Sequence, residues 1–253
     1  MRILSMHTSW GQSYPINTIF LNSLGRLGFY SLLQILQDTA VGHAHALHLG
    51  KSEMSAQNLF WVLTRQKVEV RHWPKFGETL NTKTWLRIQD DGVVVRDFKM
   101  FGPGQEDWGS ATTTWLALST QTRRPVKLDA YKMLAGIAQT DSTGMIAPKV
   151  SALVNYERLC TFQVRNSDLD SNNHVNNTRY AQWILDAIPY DLHQAFVVEG
   201  YEVNFLAETH LGDTIHIEKG DGAEWITYRG LRESDQKVVF LARLKPRAFT
   251  SLG

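Results

Sequence analysis

The stretch Val68-Glu-Val-Arg-His-Trp-Pro-Lys-Phe-Gly-Glu-Thr-Leu80 aligns without a gap on Val203-Asn-Phe-Leu-Ala-Glu-Thr-His-Leu-Gly-Asp-Thr-Ile215. Both stretches end in a large apolar residue followed by glycine, an acidic residue, threonine and an aliphatic residue. Self-similarity between distant parts of a chain indicates a repeated structural unit. We therefore interpret the chain as two halves built on one plan.

The hydrophobic pattern of the first half predicts a long helix followed by strands. Apolar residues recur at helical spacing from Phe29 to Leu47, and Gly50 is a typical residue after a helix C-terminus. The segments that follow are rich in β-branched and aromatic residues and are separated by turn-forming residues, which is typical of an antiparallel meander. These predicted strands are 59–71, 79–88, 93–101 and 108–119.

The second half repeats this order with a shorter helix that ends near Pro189. Its apolar face consists of Tyr180, Trp183, Ile184, Ala187 and Ile188, and the predicted strands after it are 200–207, 214–219, 225–232 and 237–244. We predict an α+β protein in which residues 1–130 form the first unit, 131–150 a linker and 151–253 the second unit.

Composition argues against several classes of function. Lys+Arg number 26 and Asp+Glu 25, so no excess charge favours binding to nucleic acid or to an anionic membrane. The chain contains no run of about 18 apolar residues and no signal-peptide pattern at its start, so we expect no membrane span and a cytoplasmic location. The single cysteine, Cys160, excludes an internal disulfide and is more typical of a small buried residue than of a nucleophile.

The predicted first helix carries His43, His45 and His48, which suggest a metal site. Only His45 and His48 point close enough together on a helix to share an ion. We therefore predict no metal site and no cofactor.

The run Ser167-Asp-Leu-Asp-Ser-Asn-Asn-His-Val-Asn-Asn-Thr-Arg-Tyr180 precedes the second helix. If this run is extended, the side chains of Asp170, Asn172 and His174 face the same way. A helix start offers unpaired N–H groups and the positive end of its dipole to a developing oxyanion. Taken alone, however, these residues are more typical of a turn and a helix N-cap than of a catalytic site.

Upstream, Ile35-Leu-Gln-Asp38 aligns on Ile184-Leu-Asp186 if Asp38 is set on Asp186. Together with the alignment above, this shows that the two halves differ at these polar positions. The first half has Asn22, Leu24 and Arg26 where the second half has Asp170, Asn172 and His174, and it has Trp73 in place of Glu208. Only the second half therefore carries side chains suited to proton transfer. The first half would serve as a scaffold or as a pocket.

The sequence resembles the acyl-acyl carrier protein thioesterases of plants and bacteria. The strongest similarity is the block from Ser167 to Asp186, which is like the signature of this family almost residue by residue. Further similarity covers Trp61-Val-Leu-Thr-Arg65, the Asp90–Asp97 turn and strand, Trp115 and Thr122-Arg-Arg124. The resemblance implies a double hotdog fold, in which antiparallel sheets each wrap around a long helix.

The resemblance also implies the reaction, namely hydrolysis of fatty acyl-acyl carrier protein to free fatty acid and holo-carrier protein. It assigns catalysis to Asp170, Asn172, His174 and Glu208, and an acyl pocket to the N-terminal half. Plant members have cysteine directly after the glutamate, whereas this chain has Thr209. A covalent acyl-cysteine route through that position is thus not available.

These residues suit attack by water on the thioester carbonyl. We expect Glu208, assisted by Asp170, to activate the water, and Asn172 to position His174 or the water. Which of the two carboxylates accepts the proton stays open. We expect the backbone N–H groups of His174 and Val175 to bind the oxyanion.

The expected partner is an acyl carrier protein with a phosphopantetheine-linked acyl chain, which the basic pair Arg123-Arg124 could contact. An exposed basic pair at the end of a strand is the simpler interpretation. We also expect a homodimer to be possible. An acyl-coenzyme A hydrolase, a non-catalytic hotdog that binds acyl thioesters and a hotdog dehydratase are the alternative functions.

Overall fold

The computed structural model describes residues 8–88, 93–126, 136–222 and 224–249. Within these residues, ten strands form one continuous antiparallel sheet that packs against the helices. The strands are β1 Ser9–Pro15, β2 Leu59–Val70, β3 Thr79–Ile88, β4 Val94–Phe101, β5 Asp107–Ser119, β6 Glu157–Gln163, β7 Phe196–Phe205, β8 Thr214–Gly220, β9 Ile226–Arg232 and β10 Val238–Ala248. The helices are α1 Phe29–Ala46, α2 Lys51–Ala56, α3 Asn177–Asp186 and α4 Tyr190–Gln194.

The two halves join edge to edge through β2 and β7. The first half has the strand order β1-β3-β4-β5-β2. The second half continues as β7-β10-β9-β8-β6, which is the corresponding order in reverse. Residues 65–69 of β2 pair with residues 200–204 of β7. The sheets of the two halves are therefore joined into one, and this pairing satisfies the N–H and C=O groups that each half would otherwise expose at an edge.

The two longest helices bury their apolar faces in one shared core. Leu32 and Leu36 of α1 and Ile184 of α3 are almost completely buried. The Phe29 ring packs edge-on against Tyr201 of β7, with ring centroids 5.1 Å apart. The helices predicted from hydrophobic spacing are thus confirmed, and burial of the apolar stripes is what holds them on the sheet.

The space between α1 and the sheet, around Leu32 and Trp73, is one place for the acyl pocket predicted for the N-terminal half, and it has little open room. The described residues around Leu32 and Trp73 enclose a void of about 10 Å³, which is roughly the least space that holds one water molecule. An acyl chain would enter this core only if the surrounding side chains moved. The acyl pocket stays a prediction.

The two edge strands and the two short helices are not predicted by the hydrophobic pattern of the sequence. Strands β1 and β6 occupy the outer ends of the sheet. Strand β6 contains no fully buried residue, so it lacks the apolar alternation that marks a half-buried strand. The helices α2 and α4 are only one to two turns long, which is too short to show a helical period.

The predicted linker, residues 131–150, is not a free connector in its described part, 136–150. Trp85 of β3 donates its indole N–H to the carbonyl of Asp141 over 2.8 Å. The Asn204 side chain of β7 bonds the carbonyl of Pro148 and the N–H of Val150, each over 2.8 Å. The connector is therefore fastened to both halves. Residues 131–135 and the turn predicted at Asp90 lie outside the described residues, and the predicted domain limits stay a prediction.

A buried carboxylate links three strands beside the junction of the two halves. Glu202 of β7 is only 2% exposed and lies between Lys67 of β2 and Arg243 of β10 in the strand register. It forms an ion pair with Arg243, and its Oε1 lies 3.5 Å from Lys67 Nζ. The negative charge of Glu202 is thus compensated by one cation on each of the two adjacent strands.

We expect Glu202→Ala to lower the free energy of unfolding by about 2–3 kcal/mol, because it leaves two cations without their buried partner. Glu199→Ala is the matched control, since Glu199 is 39% exposed and pairs with Lys245 over 3.7 Å. The control should cost less than about 1 kcal/mol. Denaturant unfolding measures both values, and equal effects of the two substitutions would contradict this role for Glu202.

Candidate active site

The polar run before α3 folds as a closed turn. The N–H of Asp170 donates to the carbonyl of His174 over 2.8 Å. In return the Asp170 carboxylate accepts the N–H of Asn172 over 2.7 Å and that of His174 over 3.3 Å. The extended conformation predicted for this run is wrong, because the short carboxylate side chain draws nearby N–H groups into local hydrogen bonds.

The first half contains the same turn with different side chains. Asn22 accepts the N–H of Leu24 over 3.0 Å and that of Arg26 over 3.3 Å, as Asp170 does in the second half. The predicted equivalence of the two turns is therefore confirmed. Because asparagine produces the same turn, the shape of the turn does not depend on the negative charge of Asp170.

The backbone N–H groups predicted to bind an oxyanion already have partners. The N–H of His174 points at Asp170 Oδ1 over 3.3 Å, and the N–H of Val175 donates to the carbonyl of Thr209 over 2.9 Å. The helix α3 begins only later, with Asn176 as its N-cap. The prediction that His174 and Val175 offer free N–H groups is therefore wrong.

The structure brings His174 and Glu208 together although they are far apart in the sequence. His174 Nε2 lies 3.7 Å from Glu208 Oε2, and their side chains are 29% and 38% exposed. The His174 ring packs edge-on against His210, with ring centroids 5.0 Å apart. A carboxylate and an imidazole thus face each other where water and substrate can reach them.

The first half contributes a guanidinium to this pair. Arg123 Nη2 hydrogen bonds to both carboxylate oxygens of Glu208. The Arg123 guanidinium also lies over the Phe60 ring, 4.7 Å from its centroid. This contact is not predictable from the sequence, because only the fold brings the end of β5 next to the end of β7.

Local hydrogen bonds hold the turn that presents Arg123. Ser119 Oγ accepts the N–H groups of Gln121 and Thr122, each over 3.2 Å, and the carbonyl of Ser119 accepts the N–H of Arg123 over 3.0 Å. Arg123 has a φ of 56°, a left-handed conformation that is uncommon for a residue with a side chain. The basic pair predicted to be simply exposed therefore has one member fixed on Glu208.

Three ligand-type side chains meet at this site, although the sequence predicted no metal. The potential ligand atoms of His174, Glu208 and His210 all lie within 4.8 Å of one another. Two histidines and one glutamate form a ligand set that suits Zn²⁺. Arg123, however, already occupies both oxygens of Glu208 and opposes a cation there. The absence of a metal stays a prediction.

His43, one of the three histidines of the first helix considered as metal ligands, lies in the core. This residue is completely buried in α1, and its Nδ1 lies 2.9 Å from Arg96 Nη1. Burial lowers the pKa of Arg96 to about 9. His43 therefore contacts a buried arginine in the core, while His45 and His48 are exposed.

Thr209, directly after Glu208, has a structural position. It is completely buried, and its Oγ1 accepts the hydroxyl of Tyr180 over 3.0 Å. Burial raises the pKa of Tyr180 to about 12, so this hydroxyl is protonated and able to donate. Together with the Val175 N–H bond, Thr209 ties α3 and the polar turn to the segment that carries Glu208.

Cys160 is an unsuitable nucleophile. It lies on β6 at the far edge of the sheet from β2 and β7. Burial, and to a lesser extent the charge of Asp186, raises the pKa of its thiol. A raised pKa keeps the thiol protonated near neutral pH, and only the thiolate is a good nucleophile.

We expect Cys160→Ala to keep thioester hydrolysis within about twofold of the parent, because alanine tolerates a half-buried position and no reacting group is removed. The measurement is the hydrolysis rate of an acyl thioester, with thermal unfolding as the check of folding. An inactive but folded variant would restore a mechanism that uses the cysteine.

Among the described residues, no helix combines the length and the apolar character needed to cross a bilayer.

Two family models match the chain: the acyl-ACP thioesterase N-terminal domain matches residues 8–132, and the acyl-ACP thioesterase C-terminal domain matches residues 153–240. Both halves of the chain are thus similar to the corresponding parts of one family.

Curated relatives carry the same family name. A chloroplastic palmitoyl-acyl carrier protein thioesterase of Gossypium hirsutum is 27% identical over 213 residues, which cover 78% of this chain and 50% of the relative. A chloroplastic acyl-acyl-carrier-protein hydrolase of Cuphea viscosissima is 26% identical over 214 residues, covering 79% and 52%. The chain therefore spans about half the length of the curated relatives it matches.

Solved structures show the same fold. An acyl-ACP thioesterase from Bacteroides thetaiotaomicron VPI-5482 has a TM-score of 0.87 at 22% identity, covering 95% of this chain and 98% of its own. A 12:0-ACP thioesterase from Umbellularia californica has a TM-score of 0.83 at 18% identity, covering 96% and 98%. The predicted double hotdog fold is confirmed, and the matches to both domain models show that the chain belongs to the acyl-ACP thioesterase family.

Proposed function

We propose that this chain hydrolyses the thioester of fatty acyl-acyl carrier protein to free fatty acid and holo-carrier protein. The observation that carries the proposal is the exposed pair of His174 Nε2 and Glu208 Oε2, 3.7 Å apart, in a member of this family. The relatives named above are acyl-acyl carrier protein thioesterases or hydrolases, which favours this donor over acyl-coenzyme A. A cytoplasmic location and a homodimer belong to the same proposal.

The reaction begins with water held between Glu208 and the acyl carbonyl. The Glu208 carboxylate is the ion-pair partner of Arg123 and has oxygens that can accept a proton, as a general base must. Glu208 takes a proton from the water while the water oxygen forms a bond to the carbonyl carbon. The tetrahedral intermediate then breaks its C–S bond, and the thiolate leaves with the proton returned from Glu208. Atoms and charge balance with water as the only co-reactant.

His174 is proposed to stabilise the intermediate through its side chain. Because the N–H groups of His174 and Val175 are engaged inside the protein, the imidazole is the donor that remains at this place. The present gap of 3.7 Å to Glu208 is longer than a hydrogen bond, and such contacts often tighten when substrate binds. The guanidinium of Arg123 adds positive potential beside the developing charge.

Asp170 and Asn172 are proposed to act by holding the turn that presents His174. Asp170 accepts two backbone N–H groups of this turn, and Asn172 Nδ2 donates to Asp170 Oδ2 over 3.3 Å. Both oxygens of Asp170 are thus used inside the turn. Glu208 is proposed as the base because it is the carboxylate that faces His174, with Oε2 3.7 Å from Nε2.

We expect Glu208→Gln and His174→Ala to lower kcat by about 100- to 10,000-fold, since each removes a group that acts on the reacting atoms. Binding of a non-hydrolysable acyl-carrier protein analogue should stay close to that of the parent. Glu157→Gln, at an exposed glutamate on β6, is the matched control and should leave kcat unchanged. Parental rates in both site variants would refute the proposed function.

We expect Arg123→Ala to lower kcat about tenfold or more with a smaller change in KM, because Glu208 loses the group that fixes its orientation. Arg123→Lys should recover part of the activity, since lysine keeps the charge but not the paired hydrogen bonds. Arg124→Ala is the matched control, as Arg124 is exposed on the same turn. If both alanine variants behaved alike, Arg123 would have no positioning role.

A further inference from the structure

A lysine of the first half contacts the turn that presents His174. Lys51 is the first residue of α2, and its Nζ donates to the carbonyl of Ser171 over 2.8 Å. The two residues are 120 positions apart in the chain, so only the fold brings them together. Ser171 directly follows Asp170. Lys51 therefore holds, from the other half, the same turn that Asp170 closes from within.

Lys51 and Asp170 bind opposite sides of one peptide unit. The carbonyl of Ser171 and the N–H of Asn172 belong to the same planar peptide and point in opposite directions. Lys51 binds the carbonyl, and Asp170 Oδ1 accepts the N–H over 2.7 Å. A charged donor on the carbonyl polarises the peptide and strengthens the hydrogen bond that its N–H makes. The orientation of this peptide is therefore fixed from both sides.

The backbone that carries Lys51 is well anchored. Leu49 is only 6% exposed, and its carbonyl accepts the indole N–H of Trp61 over 3.1 Å. Within α2, Met54 is buried, and its N–H donates to the carbonyl of Gly50 over 3.0 Å. Lys51 thus extends from a fixed helix start, and only its own side chain has to become ordered to make the contact.

One residue of the turn has a left-handed conformation in both halves. In the first half it is Gly25, with a φ of 68°, and in the second half it is Asn173, with a φ of 61°. Glycine adopts this conformation readily, whereas a residue with a side chain does so at a cost, even asparagine, which tolerates it better than most. The turn that presents His174 therefore gains more from an external contact than the turn of the first half does.

The turn of the first half has a corresponding contact from the second half. Gln194, the last residue of α4, donates from Nε2 to Ser23 Oγ over 2.7 Å. Ser23 is the equivalent of Ser171 when the main helices of the two halves are aligned. The short helix of each half thus reaches the turn of the other half. Of these two contacts, only that of Lys51 brings a charge and binds the backbone.

We propose that Lys51 is a positioning residue for thioester hydrolysis and acts by holding the 171–172 peptide, so that the turn presents His174 to Glu208. The inference rests on the proposed function, because it takes His174 and Glu208 to be the groups that act on the thioester. The first half then contributes two contacts to the site. Arg123 fixes Glu208, and Lys51 fixes the turn of His174. In this role Lys51 acts through the turn and not on the thioester.

The first experiment compares two substitutions that each remove the donor of one contact and keep a long side chain. Lys51→Met should lower kcat about 3- to 30-fold and change KM less than about twofold, because His174 is presented less often in the reactive orientation. Gln194→Met is the matched control and should leave kcat within about twofold of the parent. Lys51→Arg should recover most of the lost kcat, since arginine keeps the charge and the donor. Thermal unfolding checks that each variant is folded.

Two donors with the same acyl chain separate positioning from binding. Acyl-carrier protein offers a protein surface to an exposed lysine, whereas the acyl thioester of N-acetylcysteamine is small and uncharged. Lys51→Met should lower kcat/KM by the same factor for both donors. A rise in KM confined to acyl-carrier protein, with kcat unchanged, would mean that Lys51 contacts the carrier protein and would overturn the inference. Equal losses of kcat in Lys51→Met and Gln194→Met would also overturn it, because weakening either contact between the halves would then have the same effect.

Amide hydrogen exchange tests the contact without turnover. Measured residue by residue by NMR, Lys51→Met should speed exchange of the N–H groups of Asn172 and His174 about threefold or more, because their turn loses a contact. It should leave the N–H of Leu24 in the other turn unchanged, and Gln194→Met should leave Asn172 and His174 unchanged. If the parent hydrolysed no thioester but this pattern appeared, the proposed function would fail while the role of Lys51 in holding the turn stood. Unchanged exchange at Asn172 and His174 in Lys51→Met would refute that role.

Discussion

The antiparallel pairing of β2 with β7 determines where everything else in this molecule lies. It turns the sheets of the two halves into one and sets the end of β5, with its Arg123 turn, beside the segment that follows β7. The pairing is supported by backbone hydrogen bonds and by the buried carboxylate of Glu202, which lies between cations of β2 and β10. The candidate site is therefore a product of the junction and is completed by both halves.

The two halves have kept one backbone and diverged in their side chains. Asn22 and Asp170 shape the same turn before the main helix of each half. The residue four positions later is Arg26 in the first half, where Nη1 donates to the carbonyl of Trp73 over 3.1 Å. In the second half it is His174, which faces Glu208. In the first half this turn position therefore has a structural contact. The first half contributes a different residue, Arg123, to the candidate site of the second half.

Much of the fold could be predicted because the signals are local. The apolar stripe from Phe29 to Leu47 gives α1, and the alternation in residues 59–70 gives β2. The alignment of the two main helices, with Asp38 set on Asp186, identified the equivalent turns. Strand β6 could not be found in this way, because as an edge strand it buries no residue completely and shows no clear alternation.

The site was only partly predictable for a physical reason. The pairing of His174 with Glu208 followed from the family resemblance, but the conformation of their surroundings depends on competition for hydrogen bonds. Asp170 and Thr209 take the N–H groups that had been assigned to an oxyanion. The Arg123 contact depends on the β2–β7 junction, and no pattern within the sequence shows which two edges will meet.

In the proposed reaction, water rather than a protein group attacks the thioester beside Glu208. The most direct measurement is the intact mass of the protein when it is quenched with acid during rapid turnover of acyl-carrier protein. Direct attack by water predicts the unmodified mass at every time point. A population heavier by the mass of the acyl group, located by peptide mapping at Glu208 or at any other residue, would contradict the account.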